Sequence, residues 1–194
     1  MPINDLSFYV RTYDHNLEDS LCRQLIDSFG SLQRFQKQNG RGIRAGLEQS
    51  AWTELNVTKL ADPGFLAMFR GFVDRGLELY NRDLSLSIAL PNTPFLSEFV
   101  IKRYRAGHDE GFQLHFDAVN FVAHRYLVLL WYLNDVEVGG ETAFPQLSLQ
   151  VPARAGRLLM FPPYWMYQHQ GVPPVSGDKY ILSTYLLFDA PQAS

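Results

Sequence analysis

The chain has 194 residues, a length that suits one sizeable domain and is short for two. It carries 17 basic and 20 acidic residues, a formal net charge of −3, which gives no ground for binding nucleic acid or membranes through bulk charge. A single cysteine, Cys22, excludes an intramolecular disulfide. The N-terminus has no secretory signal pattern, and the longest apolar run (126–133) is too short to span a bilayer. We therefore expect a cytoplasmic protein without a nucleic-acid or membrane partner.

Two amphipathic helices are predicted in the first half of the chain. The first opens at Asn16, which can cap a helix, and continues as an apolar stripe at helical spacing. The second opens at Asp62, a capping acid followed by Pro63, and runs to Tyr80. Between them, residues 34–50 are polar, basic and rich in glycine. They predict a loop, either a solvated connector or a lid that closes on a substrate.

From about residue 96, the chain consists of short β-prone runs separated by Gly, Pro, Asn and Asp. Many short strands at close spacing are typical of a sandwich or barrel. Together, the two helices and the short strands predict an α+β fold, in which N-terminal helices pack on a double-sheet barrel of jelly-roll or cupin-like type. We expect one domain over 1–194, with an N-terminal helical support region over 1–95 and the barrel core over 96–190.

The segment LHFDAVN (114–120) places His115 and Asp117 two residues apart, so that in a strand they share one face. His169 lies far downstream, and the interior of a barrel can bring such a distant ligand to the pair. Two histidines and one carboxylate form the facial triad of non-haem Fe(II) oxygenases. The tripeptide alone is a weak signal, because a surface histidine beside a solvated aspartate also explains it. Lys179 either pairs with an acid that reaches the metal or is an ordinary exposed lysine.

A series of motifs in the second half of the chain strengthens the prediction of a metal site. The segment from Glu98 to Phe188 contains HFD (115–117), Arg125, YLND (132–135), GGETAFP (139–145), PARAGRLLMF (152–161) and HQGVPPVSGDK (169–179). In order and spacing, these motifs resemble the Fe(II)/2-oxoglutarate-dependent oxygenase superfamily, specifically its prolyl 4-hydroxylase-like branch. The resemblance covers roughly half of the chain and implies a double-stranded β-helix core.

The resemblance also implies a set of site residues. His115, Asp117 and His169 match the Fe(II) ligands of the family. Lys179 matches the residue that binds the distal carboxylate of 2-oxoglutarate, and Tyr104 matches the tyrosine that opens the strand before His-x-Asp. The implied cofactors are Fe(II), 2-oxoglutarate as co-substrate and O₂, and ascorbate is a candidate reductant.

The chain departs from the family pattern near the co-substrate. Phe112 replaces a tyrosine, Val128 replaces a threonine, and Tyr185 replaces a tryptophan. The sequence leaves open which hydroxyls take over; the candidates are Tyr104, Tyr126, Thr142, Thr184 and Tyr185. Four residues are candidates for contacting the substrate or supporting the metal ligands, each with a structural alternative: Arg125, Asn120, Tyr185 and Trp165.

The implied activity is hydroxylation of an unactivated C–H bond, with succinate and CO₂ as co-products. We expect the substrate to be a prolyl residue in a peptide or protein, and the alternative is a free amino acid or small natural product. Two alternatives of other classes are a barrel that senses a metal or ligand without turnover and a Zn(II) hydrolase. The joint presence of the triad and Lys179 argues against the sensor. The oligomeric state does not follow from the sequence.

Overall fold

The computed structural model describes residues 5–189. It contains the helices α1 (Asp19–Ser31) and α2 (Pro63–Leu84), together with short 3₁₀ turns. The strands are β1 (Arg11–Tyr13), β2 (Lys37–Gly40), β3 (Ala51–Asn56), β4 (Val100–Tyr104), β5 (Phe112–His115), β6 (Arg125–Tyr132), β7 (Thr142–Phe144), β8 (Leu149–Val151), β9 (Leu158–Phe161), β10 (His169–Gly171) and β11 (Lys179–Leu187). Within this range, no helix is both long enough and apolar enough to cross a membrane.

The strands form two antiparallel sheets. The major sheet has the order β1-β9-β6-β11-β4-β3-β2, and the minor sheet has the order β5-β10-β7-β8. The two sheets enclose a core of their own, as the jelly-roll prediction requires. The predicted α+β class, a double-stranded β-helix braced by helices, is confirmed. The N-terminal half supplies more than helices, because β1, β2 and β3 extend the major sheet on both sides.

Strand β6 separates two hydrophobic cores. Its side chains alternate between the two faces of the major sheet, as the period of a strand requires. One face packs against α1 and α2, and the other fills the barrel. The helix-facing residues are Leu127, Leu129 and Trp131, and the barrel-facing residues are Val128, Leu130 and Tyr132. The helices therefore brace the barrel from outside and leave its interior to the site.

The start of α2 matches the prediction, whereas the start of α1 does not. The carboxylate of Asp62 accepts a hydrogen bond of 3.0 Å from the Phe65 amide and caps α2. Asn16 does not cap α1, because its side-chain oxygen accepts a bond of 2.7 Å from the indole N–H of Trp131. Helix α1 begins only at Asp19. The side chain of Asn16, which the local pattern predicted to cap α1, therefore bonds to the major sheet instead.

The loop predicted over residues 34–50 is partly wrong. Residues 37–40 form β2, which pairs antiparallel with β3 at the edge of the major sheet. Residues 41–50, here called the hairpin loop, are held against β5 by Gln113. Its side-chain amide donates to the Gly46 carbonyl at 2.9 Å and accepts from the Gln49 amide at 3.0 Å. The polar edge strand was missed because it shows no alternation of apolar side chains.

Gly156 allows the chain before α1 to approach the barrel closely. Its φ is +74°, and a Cβ there would lie 2.3 Å from the Leu17 carbonyl oxygen. We expect Gly156→Ala to lower the free energy of unfolding by about 1–3 kcal/mol in denaturant titrations. Gly30→Ala is the matched control, since nothing lies within 4 Å of a Cβ at that helical position. It should raise stability by about 0.5–1 kcal/mol, and equal effects of both variants would contradict this account.

Candidate metal centre and its pocket

Three side chains converge where β5 meets β10. His115 ends β5 and His169 begins β10, and the two are direct partners across the antiparallel pair. Asp117 follows two residues after the end of β5, where its amide donates a hydrogen bond of 2.9 Å to the Pro163 carbonyl. One ligand atom from each of His115, Asp117 and His169 lies within 4.8 Å of the others. The structure thus brings together the three residues that the sequence proposed as a triad.

Backbone carbonyls orient both imidazole rings. Nδ1 of His115 lies 2.8 Å from the Gln113 carbonyl oxygen, and Nδ1 of His169 lies 3.0 Å from the Tyr167 carbonyl oxygen. A carbonyl only accepts, so each Nδ1 must carry the proton and each Nε2 keeps a free lone pair. The Nε2 atoms of His115 and His169 lie 3.5 and 3.4 Å from the Asp117 carboxylate. This is the arrangement that metal-binding histidines adopt.

The Asp117 carboxylate is buried and only half satisfied. Its Oδ1 accepts a hydrogen bond of 2.9 Å from the Tyr185 hydroxyl. Its Oδ2 is buried without a hydrogen-bond partner among residues 5–189. Such an atom is costly unless something else satisfies it, and a cation between the three ligands would do so.

The protonation states suit a metal. Burial alone would raise the pKa of Asp117, but the neighbouring histidines and Arg125 outweigh it and hold the pKa below its ordinary value. Burial, with the charge of His115, lowers the pKa of His169 to about 4. At neutral pH the carboxylate is therefore ionised and the buried imidazole neutral, as metal ligation requires. Two nitrogens and one oxygen on a single face are the donor set of non-haem Fe(II), so these residues fit an iron ion.

An inner cavity extends from the triad to Lys179. Lys179 begins β11 beside Tyr104 of β4, and its side chain is only 2% exposed. Its ammonium lies 5.4 Å from the ring centroid of Tyr104 and 5.5 Å from that of Tyr132. No carboxylate among residues 5–189 lies within 4.0 Å of the ammonium. Burial lowers the pKa of Lys179 to about 7, so an anion in this cavity would favour the charged lysine.

Two of the five hydroxyl groups that were candidates for contacting 2-oxoglutarate bond to backbone carbonyls and do not line the inner cavity. The hydroxyl of Tyr126 donates to the Pro91 carbonyl. The hydroxyl of Thr184 donates to the Ser97 carbonyl at 2.9 Å. The remaining candidates, which all line the inner cavity, are Tyr104, Thr142 and Tyr185.

An outer groove of about 600 Å³ leads from the triad to the surface. Arg125, Asn120 and Tyr185 line it, as candidates for substrate contact should. The Arg125 guanidinium lies 3.8 Å from the ring centroid of Tyr185 and donates to the Asp117 carbonyl at 3.3 Å. Arg125 therefore contacts both Asp117 of the cluster and Tyr185 beside it. Trp165 lines neither cavity and is 64% exposed, so the structure does not bring it to the site.

Sequence reasoning missed Lys102, which lines both the inner cavity and the outer groove. Burial lowers its pKa, and the charges of Asp117 and Glu54 partly offset that effect. The signal was present, because Lys102 stands two residues before Tyr104 in the same strand and must share its face. It was overlooked because none of the motifs includes it.

Residues 99–187 match the family model described as the 2OG-Fe(II) oxygenase superfamily. The matched segment contains the complete His-Asp-His cluster and Lys179. The matched segment, a little under half of the chain, has the sequence pattern of this superfamily. The chain is a 2-oxoglutarate-dependent dioxygenase, and its cofactors are Fe(II), 2-oxoglutarate and O₂. This class replaces the non-catalytic sensor and the Zn(II) hydrolase that the sequence had left open.

Solved structures of prolyl hydroxylases share the fold. The viral collagen prolyl hydroxylase of Paramecium bursaria Chlorella virus-1, in its 2-oxoglutarate complex, is 19% identical, with a TM-score of 0.62 over 91% of this chain and 94% of that chain. A prolyl-4-hydroxylase of Pseudomonas putida is 19% identical, with a TM-score of 0.66 over 94% of each chain. At these identities the likeness shows the fold.

A third structure has a peptide bound. It is a prolyl hydroxylase of Trichoplax adhaerens in complex with a fragment of the hypoxia inducible factor oxygen degradation domain. It is 15% identical, with a TM-score of 0.71 over 93% of this chain and 84% of that chain. No curated protein sequence matches this chain significantly.

We expect Asp117→Ala to weaken binding of Mn(II), used as a stable substitute for Fe(II), by at least about tenfold, because the site loses its only anionic ligand. Isothermal titration calorimetry on the metal-free protein measures this change. Asp109→Ala is the control, since Asp109 is exposed and pairs with Arg41. Equal Mn(II) affinity in both variants would place the metal elsewhere.

Proposed function

We propose that this dioxygenase hydroxylates a prolyl residue in a peptide or protein. In this proposal, His115, Asp117 and His169 hold Fe(II), and Lys179 with Tyr104 holds 2-oxoglutarate. The observation that carries the proposal is one cavity with the His-Asp-His cluster at one end and, at the other, a buried lysine that has no ion pair within residues 5–189. A dicarboxylate co-substrate that reaches the metal needs a fixed cation at its far end.

Different residues of the barrel have separate roles in this proposed reaction. Bound iron supplies the oxidising chemistry that couples decarboxylation of 2-oxoglutarate to hydroxylation, with succinate and CO₂ as co-products. Lys179 neutralises the distal carboxylate through a charge-assisted hydrogen bond. The Tyr185 hydroxyl fixes one oxygen of Asp117, which leaves the other for the metal. Val128 and Phe161 line the inner cavity with apolar surface and keep water from the reacting atoms.

Two observations support a peptide as substrate. The outer groove is open to solvent, and its volume of about 600 Å³ lies within the usual range of ligand pockets. Exposed apolar side chains lie at and near the groove, since Val119 lines it and Phe121, two residues further along the chain, is 90% exposed. Such side chains can pack against residues that flank the hydroxylated one. The fold shared with prolyl hydroxylases makes a prolyl residue the leading choice.

The second candidate function is hydroxylation of a free amino acid. The observation that favours it is the presence of opposite charges in the groove, where Lys102 of β4 and Glu54 of β3 are cross-strand neighbours. A zwitterion presents the complementary pair of charges.

Lys179→Ala should raise the apparent KM for 2-oxoglutarate by at least about tenfold, because the distal carboxylate loses its buried partner. The readout is succinate formation at increasing 2-oxoglutarate concentration. Lys37→Ala, on the exposed edge strand β2, is the control and should leave the KM unchanged. An unchanged KM in Lys179→Ala would remove this lysine from the site.

A substrate screen by mass spectrometry tests the activity itself. Proline-containing peptides and free amino acids are incubated aerobically with the enzyme, Fe(II) and 2-oxoglutarate. We expect a peptide to gain one oxygen atom on proline, in a reaction that stops when either Fe(II) or 2-oxoglutarate is omitted. Oxygen gain on a free amino acid alone would support the second candidate function and contradict the first.

A further inference from the structure

Lys102 stands where the inner cavity meets the outer groove. It lies in β4 between Val100 and Tyr104, and the three side chains share one face of the strand. Val100 lines only the outer groove, Tyr104 lines only the inner cavity, and Lys102 lines both. Its ammonium is therefore placed at the entrance to the triad.

The Lys102 ammonium makes no ion pair in the described chain, although the carboxylates of Asp117 and Glu54 lie near enough to affect its pKa. Among residues 5–189, no carboxylate lies within 4.0 Å of it. The side chain packs on aromatic rings, with Nζ 5.5 Å from the Trp52 ring centroid and 5.4 Å from that of Phe112. The nearby Glu54 accepts a hydrogen bond of 2.7 Å from the Trp52 indole instead. Rings hold this cation in place, but they satisfy it only weakly compared with a carboxylate.

The co-substrate leaves Lys102 free. In the proposed function, one carboxylate of 2-oxoglutarate pairs with Lys179 and the other, with the keto oxygen, faces the metal. Lys179 is level with Tyr104 across the sheet, whereas Lys102 is level with Ile181, two residues nearer the groove. Two residues of a strand separate the two backbone positions by about 7 Å. Because Lys102 also lines the outer groove, an anion in the groove can reach its ammonium while Lys179 holds the co-substrate.

We propose that Lys102 binds a carboxylate of the substrate at the entrance to the iron site and makes the enzyme selective for anionic substrates. This inference rests on the proposed function, because it places the substrate in the outer groove. The carboxylate has two sources, either the α-carboxylate of a free amino acid or an acidic side chain next to a prolyl residue. Both present the same group to the ammonium.

Two matched probe pairs distinguish the sources. The first pair is L-proline and L-prolinamide, and the second is acetyl-Asp-Pro-Gly-amide and acetyl-Asn-Pro-Gly-amide. For the native enzyme, one pair should show at least about a tenfold preference in kcat/KM for its carboxylate member, the ratio expected from a charge-assisted hydrogen bond. A preference in the first pair assigns the α-carboxylate, and a preference in the second assigns the acidic side chain.

The variant Lys102→Met keeps the length of the side chain and removes its charge. It should abolish the preference by raising the KM of the carboxylate probe, with the KM for 2-oxoglutarate unchanged. Lys102→Arg should retain most of the preference. Lys37→Met, the same substitution on the exposed strand β2, should behave like the native enzyme. Circular dichroism confirms that each variant is folded.

A binding measurement tests the role of Lys102 without requiring turnover. Calorimetry with the same probes, on protein loaded with Mn(II) and 2-oxoglutarate, should show the same preference and its loss in Lys102→Met. If no probe is hydroxylated but this binding pattern holds, the proposed prolyl hydroxylation fails and the role of Lys102 stands. Absence of a carboxylate preference in native binding overturns the inference. So does a preference that persists in Lys102→Met, or a raised KM for 2-oxoglutarate in that variant.

Discussion

The antiparallel pairing of β5 with β10 is the constraint on which the site depends. It sets His115 opposite His169 and brings their rings to a centroid separation of 4.2 Å. Asp117 joins them because its amide is tied to the Pro163 carbonyl beyond the end of the strand. A slip of one residue in this register would turn His115 to the other face of the minor sheet and dissolve the cluster. The metal site is therefore a consequence of strand register, and the braced major sheet gives the minor sheet a fixed surface to face.

The barrel interior contains more charged side chains than a closed core usually holds. One ionised carboxylate lies among two histidines, and two lysines face the same interior from neighbouring strands. Buried charges are costly without partners. The described chain leaves Asp117 Oδ2 without a hydrogen bond and gives neither ammonium group an ion pair within 4.0 Å. A divalent metal and carboxylate ligands would satisfy all three. The interior is thus built for ligands, at the expense of the stability of the empty barrel.

Much of this architecture could be predicted from the sequence, for identifiable reasons. The triad and Lys179 lie in motifs with fixed spacing, and the barrel follows from short strands punctuated by turn residues. Three features could not be predicted so readily. Strand β2 is polar on both faces. The side chain of Asn16 bonds to Trp131, which is distant in sequence. Lys102 lies outside every motif. The first two are decided by tertiary contacts, whereas the third could have been found by extending the strand face of Tyr104 by two residues.

We propose that iron and 2-oxoglutarate bind in one cavity, between the His-Asp-His cluster and Lys179. An anaerobic titration of the Fe(II)-loaded protein with 2-oxoglutarate, followed by visible absorption, tests this arrangement. We expect a weak charge-transfer band that saturates with 2-oxoglutarate, and release of succinate once O₂ is admitted. Iron-loaded protein that develops no band and releases no succinate, even with candidate substrates present, would contradict it.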